Sequence, residues 1–203
     1  GNLTFAWQPA HGDLTVHAVQ ILRDGKVIDA LGDGSRLTVM RREERLEQAI
    51  VDGTLTAYLM VEGLRVGDSL RWSYSVSTRD PVLAGQVQAL QPLVARPATM
   101  HFGRARLVWP ARQKLAWKAL MPGLAIEPRR IADGRNELSI ALPLAKLPEV
   151  PENTPARFHP IPAIEATSFA GWADVSRAMA PLYRTEGTIA EGSGLAAISD
   201  RIA

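Results

Sequence analysis

The sequence predicts an all-β protein: an antiparallel β-sandwich followed by a proline-rich segment and a short helical C-terminus. Three observations support this prediction. Apolar and polar residues alternate in short segments along the first two-thirds of the chain. Turn sequences recur at roughly the 8–12-residue spacing that is typical of sandwiches and barrels. After Pro143 the alternation stops, and prolines recur without a hydrophobic period.

The composition is that of an ordinary globular protein. Of 203 residues, 46% are hydrophobic and 22% are charged, and the net charge of +2 is too small to require an anionic partner. The absence of cysteine excludes disulfides, zinc–thiolate sites, iron–sulfur clusters and a cysteine nucleophile within this chain. No apolar run reaches the ~20 residues of a membrane span, and no signal peptide opens the sequence. We expect the chain to be a fragment.

In the first 62 residues, alternation and turn chemistry predict strands. Leu14, Val16 and Ala18 alternate with polar residues, and the chain continues through an Asp24-Gly25 turn that predicts a β-hairpin. Thr54–Val61 has a second alternating pattern. Between them, the charged segment 41–47 fits either a helix or a strand.

The stretch GLRVGDSLRWSYSVSTRDPV, residues 63–82, has the strictest alternation. Period two predicts a strand with one dry and one wet face, and the dry face contains Leu70, Trp72, Tyr74 and Val76. Gly67-Asp68 suits the preceding turn, and Pro81 cannot continue a ladder. We therefore interpret the stretch as scaffold.

The remaining elements define three predicted regions. Further strands are predicted at Ala105–Trp109, Leu115–Leu120, Gly123–Ile131 and Asn136–Leu142. We predict a sandwich over residues 1–147, a proline-rich linker or strap over 148–166, and a helical segment over 167–203. In the last region Thr167 or Ser168 could cap a first helix, and a second one is predicted around Leu195, Ile198 and Ile202. The first helix has four apolar residues at helical spacing: Trp172, Val175, Met179 and Leu182.

The search for a catalytic, cofactor or metal site yields no residue set. His11 and His17 could share a face with Asp13, but an extended strand would separate the two histidines by ~20 Å. His101 and His159 have no partner nearby in the sequence. The glycine-containing segments 32–34 and 192–194 lack the context of a dinucleotide-binding loop or a nucleophile elbow. We predict no catalytic residue, no cofactor and no metal.

The segment HFGRARLVWPARQKLAWK, residues 101–118, is basic and contains no acid. Interleaved cations and tryptophans are typical of a stacking platform for an anionic polymer. The alternative is two strands with apolar residues inward and basic residues outward. The candidate binding residues are Arg104, Arg106, Trp109, Arg112, Lys114, Trp117 and Lys118. Trp72 and Trp172 lie in apolar stripes, so we expect both in the core.

Three stretches resemble a known family. They are WQPAHGDLTVHAVQILRDGKVID, VMRREERLEQAIVDGTLTAYL and LRVGDSLRWSYSVSTRDPVLAG. Together they make the chain, from Phe5 to about Pro162, similar to domain of unknown function 3857, which stands at the N-terminus of bacterial transglutaminase-like proteins. The later stretch ATSFAGWADVSRAMAPLYRT looks like the helix that leads into the transglutaminase-like core.

The resemblance implies an immunoglobulin-like fold and export to the periplasm or cell surface. The family's core uses a cysteine activated by histidine and oriented by aspartate, and this chain has no cysteine. No catalytic residue is therefore transferred, and we predict that this chain is not an enzyme.

We expect a non-catalytic module that positions or recruits substrate for a downstream core in the same polypeptide. The first-helix residues would make the inter-domain contact. A peptide or an envelope polymer could also be a partner, and a bare helix face could cause dimerisation. No nucleic acid is expected. The alternative is an independent binding module for a polysaccharide or another anionic polymer, acting through residues 101–118.

Overall fold

The chain divides into two compact units, Gly1–Pro81 and Val82–Ala203. A computed structural model describes residues 1–32, 37–41, 49, 51–121 and 123–202. The named strands pair antiparallel in both units, and within the described residues the two short α-helices lie near the C-terminus, after the last strand. The all-β antiparallel prediction is confirmed. The boundaries 1–147, 148–166 and 167–203 and the immunoglobulin-like arrangement stay predictions.

Unit 1 contains two three-stranded sheets, ordered β1-β5-β4 and β3-β2-β6. The strands are β1 (Asn2–Trp7), β2 (Leu14–Arg23), β3 (Lys26–Asp29), β4 (Thr38–Arg41), β5 (Leu55–Met60) and β6 (Ser69–Val76). The predicted β2–β3 hairpin is confirmed, and both of its turn residues have positive φ, 48° at Asp24 and 75° at Gly25. Strands β1 and β4 were not predicted. Within the ambiguous segment 41–47, Arg41 ends β4, and residues 42–47 lie outside the described residues.

The two sheets of unit 1 share one core. Val19 and Ile21 of β2 pack with Leu59 of β5 and with Val61, and each is at most 3% exposed. Burial of these aliphatic side chains is the main favourable term for the unit, about 1.5–3 kcal/mol for each side chain. Unit 1 is therefore a small two-layer β structure of its own.

A partly buried ion pair joins the end of β2 to the turn before β6. Arg23 donates from Nε to Oδ1 of Asp68 at 2.8 Å and from Nη2 to Oδ2 at 2.7 Å. The Arg65 amide also donates to Oδ2 at 2.7 Å. The hydrogen bond from Arg23 is the main reason why the pKa of Asp68 falls to about 2. The Gly67-Asp68 step thus serves as scaffold.

A second contact joins the beginning of β2 to the end of β6. The Ser77 amide donates to the carbonyl of Asp13, and the Asp13 amide donates to Ser77 Oγ, both at 2.9 Å. Between them, a Cβ on Gly12 would lie 1.8 Å from the Ser77 carbonyl oxygen. Only glycine fits this close approach of two backbones.

The alternating pattern correctly predicted strand β6, but the prediction that its apolar face is buried is wrong. Trp72, Tyr74 and Val76 are 46%, 50% and 42% exposed. The reason is that β6 is an edge strand, so the facing sheet covers it only in part. Phe5 of β1 does reach it, with its ring centroid 5.0 Å from that of Tyr74.

Unit 2 also contains two three-stranded sheets, ordered β10-β11-β8 and β7-β12-β9. The strands are β7 (Gln88–Pro92), β8 (Gly103–Pro110), β9 (Ala116–Ala119), β10 (Arg129–Arg130), β11 (Arg135–Leu142) and β12 (Ala163–Thr167). Ala105 of β8 and Ile140 of β11 pack against Ile164 of β12, which connects the two sheets through one core.

Two predictions for unit 2 need correction or addition. Of the predicted strand Gly123–Ile131, only Arg129–Arg130 pairs with β11, and Pro128 immediately before it has no amide to donate to a ladder. Conversely, β12 lies mostly within the predicted segment 148–166 and pairs with both β7 and β9. Strands β7 and β12 were not predicted.

The predicted helices are present, but the first begins later than expected. Helix α1 spans Trp172–Met179, and helix α2 spans Gly194–Ile202. Neither Thr167 nor Ser168 caps α1. Thr167 still belongs to β12, while the Ser168 hydroxyl bonds to the amide of Val87 and to Gln86. Within the described chain, neither helix has the length and apolar character that crossing a bilayer requires.

Candidate functional site

The outer face of the β10-β11-β8 sheet carries the main cluster of charged groups in unit 2. In a β ladder, residues directly opposite each other share a face. Arg106 of β8 lies opposite Ser139 of β11, and Glu137 of β11 lies opposite Arg129 of β10. Alternation along β8 and β11 brings all of these side chains, with Arg104, to the same surface.

Glu137 is the buried centre of this face. Its side chain is 1% exposed and lies between the guanidinium groups of Arg106 and Arg129. Arg106 Nε donates to Oε1, and Arg129 Nε donates to Oε2 at 2.9 Å. The bond from Arg106 is the largest cause of a lowered pKa at Glu137; burial opposes it, and the bond from Arg129 supports it. The carboxylate is therefore held ionised.

A polar depression of about 490 Å³ opens beside this ion cluster. Arginine guanidiniums suit recognition of carboxylates and phosphates. Ser139 shares the depression with carboxylates, but the lowered pKa of Glu137 makes that group a poor proton acceptor for catalysis. Glu137 is thus suited to holding the two guanidinium groups rather than to accepting a proton. The lining residues are Gly103, Arg104, Glu127, Arg129, Glu137, Ser139 and Ala141.

The basic segment predicted from the sequence does not form one surface. Arg104 and Arg106 lie on the outer sheet face, but Trp109 is buried, and Trp117 is half-buried against the core that contains Ile140 and Ile164. The two indole rings pack on each other at 6.1 Å between centroids, so Trp109 offers no open face for stacking. The remaining basic side chains, Arg112, Lys114 and Lys118, are exposed.

Sequence reasoning missed Arg129 and Glu137. Both lie far from residues 101–118 in the chain and join the cluster only through strand pairing. The Arg129-Arg130 pair and the alternating Arg135-Asn136-Glu137 were visible signals. Their meaning depended on which strands are neighbours, which the sequence did not provide.

The proline-rich segment borders a groove of about 610 Å³. In it, Arg157 lies 4.9 Å above the ring of Phe158, and His159 Nε2 bonds to the carbonyl of Thr154 at 2.9 Å. Lys146 and Glu149 form an ion pair at 2.6 Å. The polar groups are thus largely engaged with one another.

The predicted inter-domain residues of the first helix differ in exposure. Trp172 is 87% exposed, and Leu182, which follows the helix, is 58% exposed. Val175 and Met179 are half-buried. The expectation that Trp172 lies in the core is wrong, because the indole extends from the first turn of α1 beside a shallow cavity of about 260 Å³.

The histidines considered as ligands are dispersed. His11 lies in the turn before β2, and His17 lies at a bulge within β2, where it contacts Ser75 Oγ at 2.7 Å. Within the parts of the chain that the structure describes, no three histidine, aspartate or glutamate side chains form a group able to hold a metal ion. Of the glycine-containing segment 32–34, residues 33 and 34 lie outside the described residues.

Comparison with known proteins adds a family and a structural likeness. Residues 1–144 match the family model described as a domain of unknown function with solved structure, DUF3857. A crystal structure described as a "putative protease" from Parabacteroides distasonis ATCC 8503 is similar at a TM-score of 0.60 and 13% identity. That similarity covers 84% of this chain and 33% of the other, so the chain spans about a third of its length. At this identity the likeness concerns the fold. No curated protein matched the sequence.

Proposed function

Because the chain belongs to the DUF3857 family, we propose that it is a non-catalytic β module that positions or recruits substrate for a transglutaminase-like core in a larger protein. The observation that carries the proposal is the coverage of the structural likeness. Most of this chain, 84%, corresponds to only 33% of a protein described as a putative protease. In such a protein the remaining two-thirds would contain the chemistry.

Two features of the chain support a non-catalytic role. It contains no cysteine, and a transglutaminase-like core needs a cysteine thiolate as its nucleophile. Its main charged cluster is an ion network in which Glu137 is held ionised by two arginines. Such a group stabilises the sheet or binds ligands, and it is poorly suited to accept a proton.

Helix α1 supplies a surface for the contact with the core. Trp172 and Leu182 are exposed apolar side chains close to the half-buried Val175 and Met179. Large exposed apolar groups of this kind favour a partner surface. We propose the downstream core as that partner; without it, the same surface would promote dimerisation. Export to the periplasm or cell surface belongs to the proposal and rests on the resemblance alone.

The coding sequence after Ala203 tests the accessory role. A downstream cysteine, followed by histidine and aspartate in that order, is the expected result. A stop codon directly after Ala203 would overturn the role.

An assay of the longer protein then tests recruitment. Amide hydrolysis or transfer should be measured with and without residues 1–162, under conditions in which both forms remain folded. Loss of a recruiting module should raise KM and leave kcat nearly unchanged, because contacts away from the reacting groups stabilise the bound substrate and the transition state equally. An unchanged KM, or hydrolysis by residues 1–203 alone, contradicts the proposal.

A second candidate function is binding of an anionic polymer. The exposed side chains of Arg104, Arg112, Lys114 and Lys118 favour it, whereas Arg106 is engaged with Glu137. A polyanionic polysaccharide should then bind with an affinity that falls steeply with salt, by analogy with polyelectrolyte binding. Charge reversal at these four cations should abolish that binding. Binding that survives the reversal would contradict this function.

A further inference from the structure

Unit 2 presents two neighbouring sheet edges. The sheet orders β10-β11-β8 and β7-β12-β9 place β8 and β7 each at an edge. Strand β8 is eight residues long, and in the described part of the chain its second edge pairs with no strand. An unpaired edge offers backbone amides and carbonyls to another extended segment.

An apolar slot of about 80 Å³ lies between these two edges. The slot is more enclosed than the polar depression beside Glu137, and it has room for a single small aliphatic side chain. Leu90 of β7 is 60% exposed, although it lines the slot. The slot is lined mainly by Ala89, Leu90, Ala105, Leu107, Ile140 and Ile164.

The opposite face of β8 is cationic. Arg104 and Arg106 alternate with the slot-lining Ala105 and Leu107. Arg106 is engaged with Glu137, while the exposed Arg104 has no ion-pair partner among the residues that the structure describes. A strand added beside β8 would therefore meet apolar surface on one face and positive charge on the other.

We propose that the free edge of β8 binds an extended peptide segment by strand addition, with apolar side chains toward the slot and acidic side chains toward Arg104. In an added strand, successive side chains point to opposite faces of the sheet. Main-chain hydrogen bonds would supply affinity, and the two faces would supply specificity. This inference rests on the proposed function in one respect: the bound peptide would be the recruited substrate.

The charge on β8 disfavours a second copy of this chain as the occupant. Two β8 strands pairing edge to edge would bring Arg104 and Arg106 of both copies close together. Basic residues and a terminal proline such as Pro110 are devices that reduce such self-pairing. An acidic peptide instead has the complementary charge.

The first test uses a fluorescent, N-acetylated octapeptide of alternating valine and glutamate with the complete 203-residue chain. Fluorescence anisotropy should show saturable binding, which Arg104→Glu weakens about fivefold, the upper range for one exposed ion pair. An octapeptide of alternating valine and lysine should instead bind the Arg104→Glu variant more tightly than the parent protein. The matched control, Arg112→Glu, makes the same charge change outside β8 and should leave the affinity unchanged. Equal weakening by both variants would indicate polymer-like charge binding and would overturn the proposal.

The second test examines the backbone and the slot. In an added strand, only every second residue directs its backbone amide toward β8. N-methylation of the residues whose amides face β8 should therefore abolish binding. N-methylation of the intervening residues should not. Ala89→Phe, shown by circular dichroism to remain folded, should fill the slot and weaken binding. Equal binding of both methylated peptides, or no binding of any peptide, overturns strand addition. Neither result would refute the accessory role, because the separate assay on the longer protein tests that role.

Discussion

Gly12→Ala should destabilise unit 1 strongly, although it adds a single methyl group. The new Cβ would lie 1.8 Å from the Ser77 carbonyl oxygen and 2.6 Å from its carbonyl carbon. Ordinary contacts begin at 3.4 Å, so the two backbones must separate by about 1.6 Å. No flexible side chain can absorb this shift, because both nearest atoms belong to the backbone.

The separation would break the hydrogen bonds that join the two segments. They run from Ser77 N to Asp13 O at 2.9 Å, from Asp13 N to Ser77 Oγ at 2.9 Å, and from Arg79 N to His11 O at 2.5 Å. At about 0.5–1.5 kcal/mol each, their loss should lower the free energy of unfolding by about 2–4 kcal/mol.

Urea unfolding combined with hydrogen exchange of the β2 and β6 amides would measure this loss for unit 1 by itself. The matched control is Gly32→Ala, since the nearest atom to its new Cβ is the Asp29 carbonyl oxygen at 3.8 Å. We expect the control to change stability by less than about 0.5 kcal/mol. A Gly12→Ala protein as stable as the control would refute the argument from close backbone approach.

Two further predictions concern unit 1. Leu59→Ala should lower the free energy of unfolding in urea by about 2–5 kcal/mol, because it opens a cavity in the core shared by the two sheets. The control Met60→Ala, on the exposed face, should change that free energy by less than about 0.5 kcal/mol. Equal losses would contradict the assigned faces. Lowering the pH should destabilise unit 1, because the pKa of Asp68 is about 2 in the fold and 3.8 ordinarily. The stabilisation is complete above 3.8 and is lost as the pH falls towards 2. Thermal unfolding measured from pH 5 to 2 should show this loss as a falling melting temperature, and Asp68→Asn should make the melting temperature depend less on pH. A variant with the same pH dependence as the parent would contradict the role of the ion pair.

The sequence alone determined the elements that depend on neighbouring residues. Alternation identified β2, β5, β6 and β11, because side chains of a strand point to opposite faces with period two. The Asp24-Gly25 pair identified a hairpin, because both residues adopt positive φ at low cost. Family membership also followed from local stretches of sequence. The domain role, the binding partner and the export remain predictions.

Only the tertiary structure decided which surfaces are buried and which side chains meet. Strand β12 was missed because Ala163, Ile164 and Ala166 are all buried, so the segment has no polar alternation. Trp72 was expected in the core, yet it lies on an edge strand. Arg106 and Glu137 are 31 residues apart, and strand pairing brings them together. Periodicity is a local property, whereas burial and ion pairing depend on which distant strands become neighbours.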